Sequence, residues 1–196
     1  MAFTADDRVR ITASLLDTAE ELFAVQGLKK TSLEELVAPA GIAKGSFYAF
    51  FDSKEDLYKE VMIRRAPALG RRLAAALERP PSAEALAGLM RGMVEVLTTD
   101  PFYRRLLARP DELEAVARRV GPEEVARVTP HLVTPLLDYL ARGQADGVIV
   151  ADVSPEVLLG VLRTAGLLVL NRDRYGPDHE QVLDATINAL ARGLIA

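Results

Sequence analysis

The sequence contains no cysteine, no tryptophan and only two histidines. Without thiols there are no disulfides, thiolate zinc sites, iron–sulfur clusters or cysteine nucleophiles, which fits a reducing cytoplasm. Two distant histidines supply a catalytic triad poorly, and no GxSxG, HExxH, Walker or GxGxxG pattern occurs. The pattern calls for no cofactor and no metal. Long hydrophobic runs are missing as well. The longest, at 157–170, is interrupted by Arg163 and is shorter than the roughly 18–20 residues of a membrane span. The opening MAFTADDRVR is acidic and has no apolar stretch of the kind a secretory leader needs. These absences point to a cytoplasmic chain with no membrane partner.

Excess positive charge is also lacking. The formal net charge is −4, and residues 1–66 hold nine Lys/Arg against eleven Asp/Glu. Charge alone therefore gives no reason to expect nucleic-acid binding. All five lysines nevertheless lie before residue 60, so a local basic patch is compatible with the composition.

The 196 residues are 49% apolar and rich in Ala, Leu, Val, Arg and Glu, enough for one large or two small helical domains. Ile11, Leu15, Leu16, Ala19, Leu22 and Phe23 form the stripe of an amphipathic helix over 9–26, ended by Gly27. Thr31 and Ser32 each precede a Glu by three residues, the signature of a capping box. Leu33, Leu36, Val37 and Ala40 predict a short second helix that stops near Pro39. Gly41 suits a tight turn, and a third helix follows over about 43–51. Asp52 with Glu55, or Ser53 with Asp56, caps a fourth. Two short helices joined by a glycine-containing turn make a helix-turn-helix.

Four of the eleven aromatic residues fall in KGSFYAFF, residues 44–51. At about 100° per residue, Phe47 and Phe51 share one face and Gly45 and Ala49 the opposite one, with Tyr48 and Phe50 on the flanks. That arrangement suits close approach to a major groove. It equally suits four core rings with Gly45 and Ala49 against another helix.

The stretch 27–57 resembles the DNA-binding domain of TetR-family transcriptional regulators. The likeness is carried by Gly27, Thr31-Ser32, Ala40-Gly41-Ile42, Gly45-Ser46-Phe47-Tyr48, Phe51 and Ser53-Lys54-Glu55-Asp56-Leu57. The resemblance implies an all-α fold, with a DNA-binding domain over 1–52 and an effector-binding and dimerisation domain over 53–196, linked through a helix at 53–66. It implies that Thr31, Ser32 and Lys54 meet phosphates, and that Lys44, Gly45, Ser46, Tyr48 and Ala49 approach the groove. The residues alone also allow Thr31 and Ser32 to be caps, Tyr48 to be packing and Lys54 to be solvated. The chain departs from the family at Ala43, where a capping Ser is frequent. It also departs at Phe50, which has no polar atom for a phosphate.

Beyond residue 66, further helices are expected at about 82–98, 101–109, 111–145 with an interruption at Gly121-Pro122 and kinks at Pro130 and Pro135, 155–171 and 178–195. The family likeness implies an effector cavity, with Met90, Met93, Phe102, Tyr103, Leu106, His131, Tyr139 and Arg163 as candidate lining. It also implies a homodimer through the last two helices, with Leu159, Leu162, Leu183, Ile187, Leu190 and Leu194 at the interface. Plain core accounts for the same apolar residues, and an ion pair for Arg163. The function so implied is a homodimeric repressor that binds a palindromic DNA operator and is released by a small-molecule effector. A helical protein-interaction module, or an enzyme without DNA binding, is the alternative.

Overall fold

A computed structural model describes residues 3–196. Among them the chain is helical, and a single antiparallel bridge between Ile149 and Ile195 is the one extended pairing. The helices are α1 (Ala5–Gln26), α2 (Leu33–Val37), a 3₁₀ turn (Lys44–Ala49), α3 (Lys54–Leu77), α4 (Ala83–Thr99), α5 (Pro101–Leu107), α6 (Pro110–Ala117), α7 (Pro122–Leu132), α8 (Thr134–Ala145), α9 (Pro155–Leu170) and α10 (His179–Gly193). They form two compact units. Unit 1 runs to Arg65 and adds Pro101–Arg127; unit 2 comprises Ala66–Asp100 and Val128–Ala196.

In unit 1, α1 begins with a capping box between Thr4 and Asp7 and buries Ile11, Leu15, Ala19 and Phe23 at four-residue intervals. Each large apolar side chain so buried contributes about 1.5–3 kcal/mol. Gly27 ends the helix at φ 84°, a left-handed value that glycine adopts without strain. Of the two candidate boxes at α2, Ser32 with Glu35 forms. At α3, Ser53 with Asp56 forms. A stack of Phe23, Tyr58 and Phe102, with centroids 4.9 and 4.4 Å apart, joins α1, α3 and α5. The Tyr58 hydroxyl donates to the Phe102 carbonyl at 3.2 Å.

The loop from Gly27 to Thr31 orients α2, and side chains from other elements satisfy its backbone. The Lys54 ammonium donates to the carbonyls of Leu28, Lys29 and Thr31 at 2.9, 3.4 and 2.6 Å. The Glu112 carboxylate, 3% exposed, accepts from Leu28 N–H at 2.9 Å. Arg105 donates to the last α1 carbonyl, of Gln26, at 2.8 Å. Lys29 pairs with Asp111. A side chain at position 27 would place Cβ 3.0 Å from Arg105 Nε, so glycine also makes room for this clasp. The sequence pattern gave no sign that α5 and α6 belong to the same compact unit as the helix-turn-helix.

Ion pairs hold the start of α3 to α7. Lys59 lies 2.8 Å from Glu124 and 3.6 Å from Asp56, and Arg127 meets Glu60 through both carboxylate oxygens at 2.7 Å. The Lys59 hydrogen bond, with help from Gly121 N–H, lowers the Glu124 carboxyl to about 2. A depressed carboxyl stabilises the fold above its ordinary range. That contribution is lost as pH falls from about 4.5 toward 2.

In unit 2, α4, α8, α9 and α10 enclose a core that includes Leu86, Leu89, Met90, Tyr139, Leu158, Leu162 and Ile187. The helical stretch over 111–145 is three helices, the first break falling at the expected Gly121-Pro122 and the second near Val133. Pro122 and Pro135 each open one, and the chain breaks at Val133 rather than kinking at Pro130. Pro67 removes one N–H from α3 without ending it, so the helix continues to Leu77. Gly70 lets α3 reach the backbone of α7, since a Cβ there would lie 2.4 Å from the His131 carbonyl oxygen. The connector after α8 pairs with the last residues through Val150 N–H to Leu194 O at 3.0 Å and Ala196 N–H to Val148 O at 2.9 Å.

Lys54→Met should lower unfolding free energy by about 1.5–3 kcal/mol, the scale of charge-assisted hydrogen bonds, while leaving the salt dependence of DNA binding unchanged. Urea unfolding and binding titrations at several salt concentrations check this. A salt slope reduced by about one with unchanged stability would instead make Lys54 a phosphate contact.

Candidate nucleic-acid interface

Residues 44–49 form a tight 3₁₀ turn, and Ala43 supplies no side-chain cap. A 3₁₀ turn advances about 120° per residue, yet the division of faces expected from the sequence persists. Phe47 is fully buried, and Phe51 is buried beside it with ring centroids 6.0 Å apart. Tyr48 rests edge-on against Phe47, with 59% of its surface in solvent. Gly45 and Ala49 are exposed. No atom lies within 4 Å of where a Gly45 Cβ would stand, and its φ is not left-handed. Neither packing nor backbone conformation within the chain requires glycine here. Its effect is to leave space for an external surface.

Phe50 has a structural role the sequence reading did not find. Its ring packs against Phe3 at 5.1 Å and lies beneath the Arg8 guanidinium at 5.6 Å. Arg8 also donates to the Ala49 carbonyl at 3.2 Å. The departure from a polar residue at 50 thus fixes a cation at the end of the turn by cation–π attraction.

The module's cations are mostly engaged. Lys44 pairs with Glu34 at 2.7 Å, both exposed, and Arg10 with Asp7 at 3.4 Å. The Lys44 hydrogen bond holds Glu34 below the usual carboxylate range, and Glu34 in turn raises Lys44. Two residues expected to meet phosphates make contacts inside the chain. Thr31 is fully buried, its hydroxyl donating to Gly27 O at 2.7 Å. Lys54 spends its N–H groups on three carbonyls of the same loop. Ser32 is half-buried and caps α2, accepting from Glu35 N–H at 3.2 Å. Lys44, Gly45, Ser46, Tyr48 and Ala49 are gathered on the turn.

The candidate effector residues are divided. Phe102, Tyr103 and Leu106 belong to the core of unit 1. In unit 2, Met90 and Tyr139 are core, the Tyr139 hydroxyl having no hydrogen-bond partner among the described residues, and His131 is exposed. Met93 and Arg163 line one cavity. The expected dimer residues Leu159, Leu162, Ile187 and Leu194 are buried within the protomer, with Leu183 and Leu190 partly so. They face inward because α9 and α10 pack on α4 and on each other. The outward residues of α9 are Glu156, Val157, Gly160, Arg163, Leu167 and Leu170.

Residues 15–61 match the model of the family described as bacterial regulatory proteins, tetR family. A segment of 48 residues is 46% identical to the HTH-type transcriptional repressor KstR2 of Rhodococcus jostii (strain RHA1), a match spanning 24% of each chain. Over 189 residues, 93% of both chains, the sequence is 24% identical to the HTH-type transcriptional repressor DhaR of Mycobacterium sp. (strain GP1). The fold resembles the crystal structure of RolR in complex with the ligand resorcinol, with a TM-score of 0.68 and 22% identity over 97% of this chain and 90% of that one. The family match thus falls on the module whose turn faces outward, and the chain is similar to HTH-type transcriptional repressors, to one of them along almost its whole length.

Proposed function

We propose that the chain is a cytoplasmic homodimeric repressor that binds a near-palindromic operator and leaves it when a small molecule occupies unit 2. The observation that carries the DNA-binding part is the exposed face of Gly45, Tyr48 and Ala49, low in profile and not explained by packing inside the chain. Lys44 and Ser46 lie on the same turn, and Ser32 caps α2. In this reading residues 1–52 are the DNA-binding domain and 53–196 the effector-binding and dimerisation domain, with 53–66 as the link. The match to two repressors supports repression, and a relative of like fold that binds resorcinol supports a small effector.

The dimer reading rests on the outward side of α9 and α10. Val157 and Leu167 are 53% and 57% exposed, and Gly160 between them has open space around its Cβ position. On α10 the exposed residues include Ala185 and Ala189, small enough for another helix to pack closely. A second copy covering this face would bury the exposed leucine and valine. It would also bring two recognition turns to one DNA site, raising effective affinity.

Purified protein should enrich genomic fragments sharing a near-palindrome whose half-sites lie about one helical turn apart, or a multiple of it. Enrichment of no common sequence would remove the DNA-binding reading. Glu34→Gln should free Lys44, tighten operator binding at low salt and steepen its salt slope by about one. An unchanged slope would show that Lys44 never meets phosphate. Leu167→Lys should yield monomers in sedimentation velocity and weaken operator binding, whereas a persisting dimer would move the interface away from α9.

A further inference from the structure

A cavity of about 220 Å³ lies in unit 2, walled by Leu69 and Leu73 of α3, Met93 and Leu97 of α4, and Leu136 of α8, with Arg163 of α9 at its edge. The other lining residues are Val and Leu, so Arg163 is the only polar group there. Its guanidinium makes no ion pair or hydrogen bond with the described residues. Its own helix offers no partner, because the positions three and four residues away are Leu159, Gly160, Gly166 and Leu167. Bulk is withheld beside it too: a Cβ at Gly166 would lie 3.3 Å from Leu97 Cδ1, a residue of the cavity wall. Arg163 is exposed, so its charge sits at the mouth while the interior is hydrocarbon.

We propose that this cavity binds a small monocarboxylate with an apolar body, the carboxylate on Arg163 and the body among the leucines and Met93. An unpaired guanidinium matches a carboxylate in both charge and fork geometry. An apolar cavity of about 150 Å³ holds benzene, so this one accommodates a single ring with a few more heavy atoms, or a chain of similar bulk. A neutral ligand of the same shape leaves the guanidinium without its partner. The proposal rests on the effector-released reading of the chain and supplies its ligand class.

The test uses full-length protein with benzoate, phenylacetate and hexanoate against the three corresponding primary amides, read by thermal shift and calorimetry. The acids should raise the melting temperature and bind about ten- to a hundredfold more tightly than the amides, the ratio expected for a charge-assisted hydrogen bond. Arg163→Gln should abolish that preference, and Arg163→Lys should keep part of it. Leu73→Trp, which fills the cavity, should remove binding of acids and amides alike. Equal binding of acids and amides, preference retained in Arg163→Gln, or no saturable binding at millimolar concentration each overturns the proposal. An altered dimer dissociation in Arg163→Gln, without carboxylate binding by the wild type, overturns it in favour of an ion pair to a second copy. Carboxylate binding that leaves operator DNA bound sinks the effector reading but not the site. Operator release by a neutral compound alone sinks the ligand class but not the reading.

Discussion

The backbone of residues 26–31 has to be satisfied by something, and in this protein three distant side chains share in it. Leu28, Lys29 and Thr31 give their carbonyls to Lys54, Leu28 gives its N–H to Glu112, and Gln26 gives its carbonyl to Arg105. Buried or half-buried amide groups without partners would cost about 1–3 kcal/mol each. The loop therefore has little freedom to rearrange independently of α3, α5 and α6. Since it feeds directly into the Ser32 cap of α2, the pose of the helix-turn-helix follows from these bonds. Lys54, for which the family resemblance implies a DNA contact, holds the loop of its own chain.

Much of unit 1 was legible because its signals are local. Four-residue spacing of Ile11, Leu15, Ala19 and Phe23, the Ser32–Glu35 box and Gly27 each depend on neighbours within a turn or two, and all appear as expected. The division of KGSFYAFF into buried and exposed rings was legible for the same reason. What escaped depends on contacts far apart in sequence. Glu112 and Leu28 are 84 residues apart, and no pattern near either announces the other. The role of Phe50 stayed open on paper because its partners are Arg8, in α1, and Phe3, before it.

The last two helices show a different limit. A helix with leucines nearly all round has no unique inward face on paper, and the choice of Leu159, Leu162 and Ile187 as surface was a choice between equivalent stripes. Packing against α4 settles which stripe goes inside. Arg163 escapes that ambiguity, since a charge among Leu and Gly must lie at a boundary. It lies at the boundary of a cavity rather than in a closed ion pair.

The pairing of Lys44 with Glu34 bears on how such a protein moves through a genome. Non-specific affinity comes almost wholly from cations meeting phosphates, and competing sites are very many. A chain with net charge −4, whose Lys44 on the exposed turn already has a carboxylate, gains little by resting on arbitrary sequence. In the proposed reading, exchanging that carboxylate for a phosphate becomes favourable only when other contacts hold the turn in place. Weak attraction to the wrong DNA keeps more copies free to search, so a modest number of molecules can occupy few sites well.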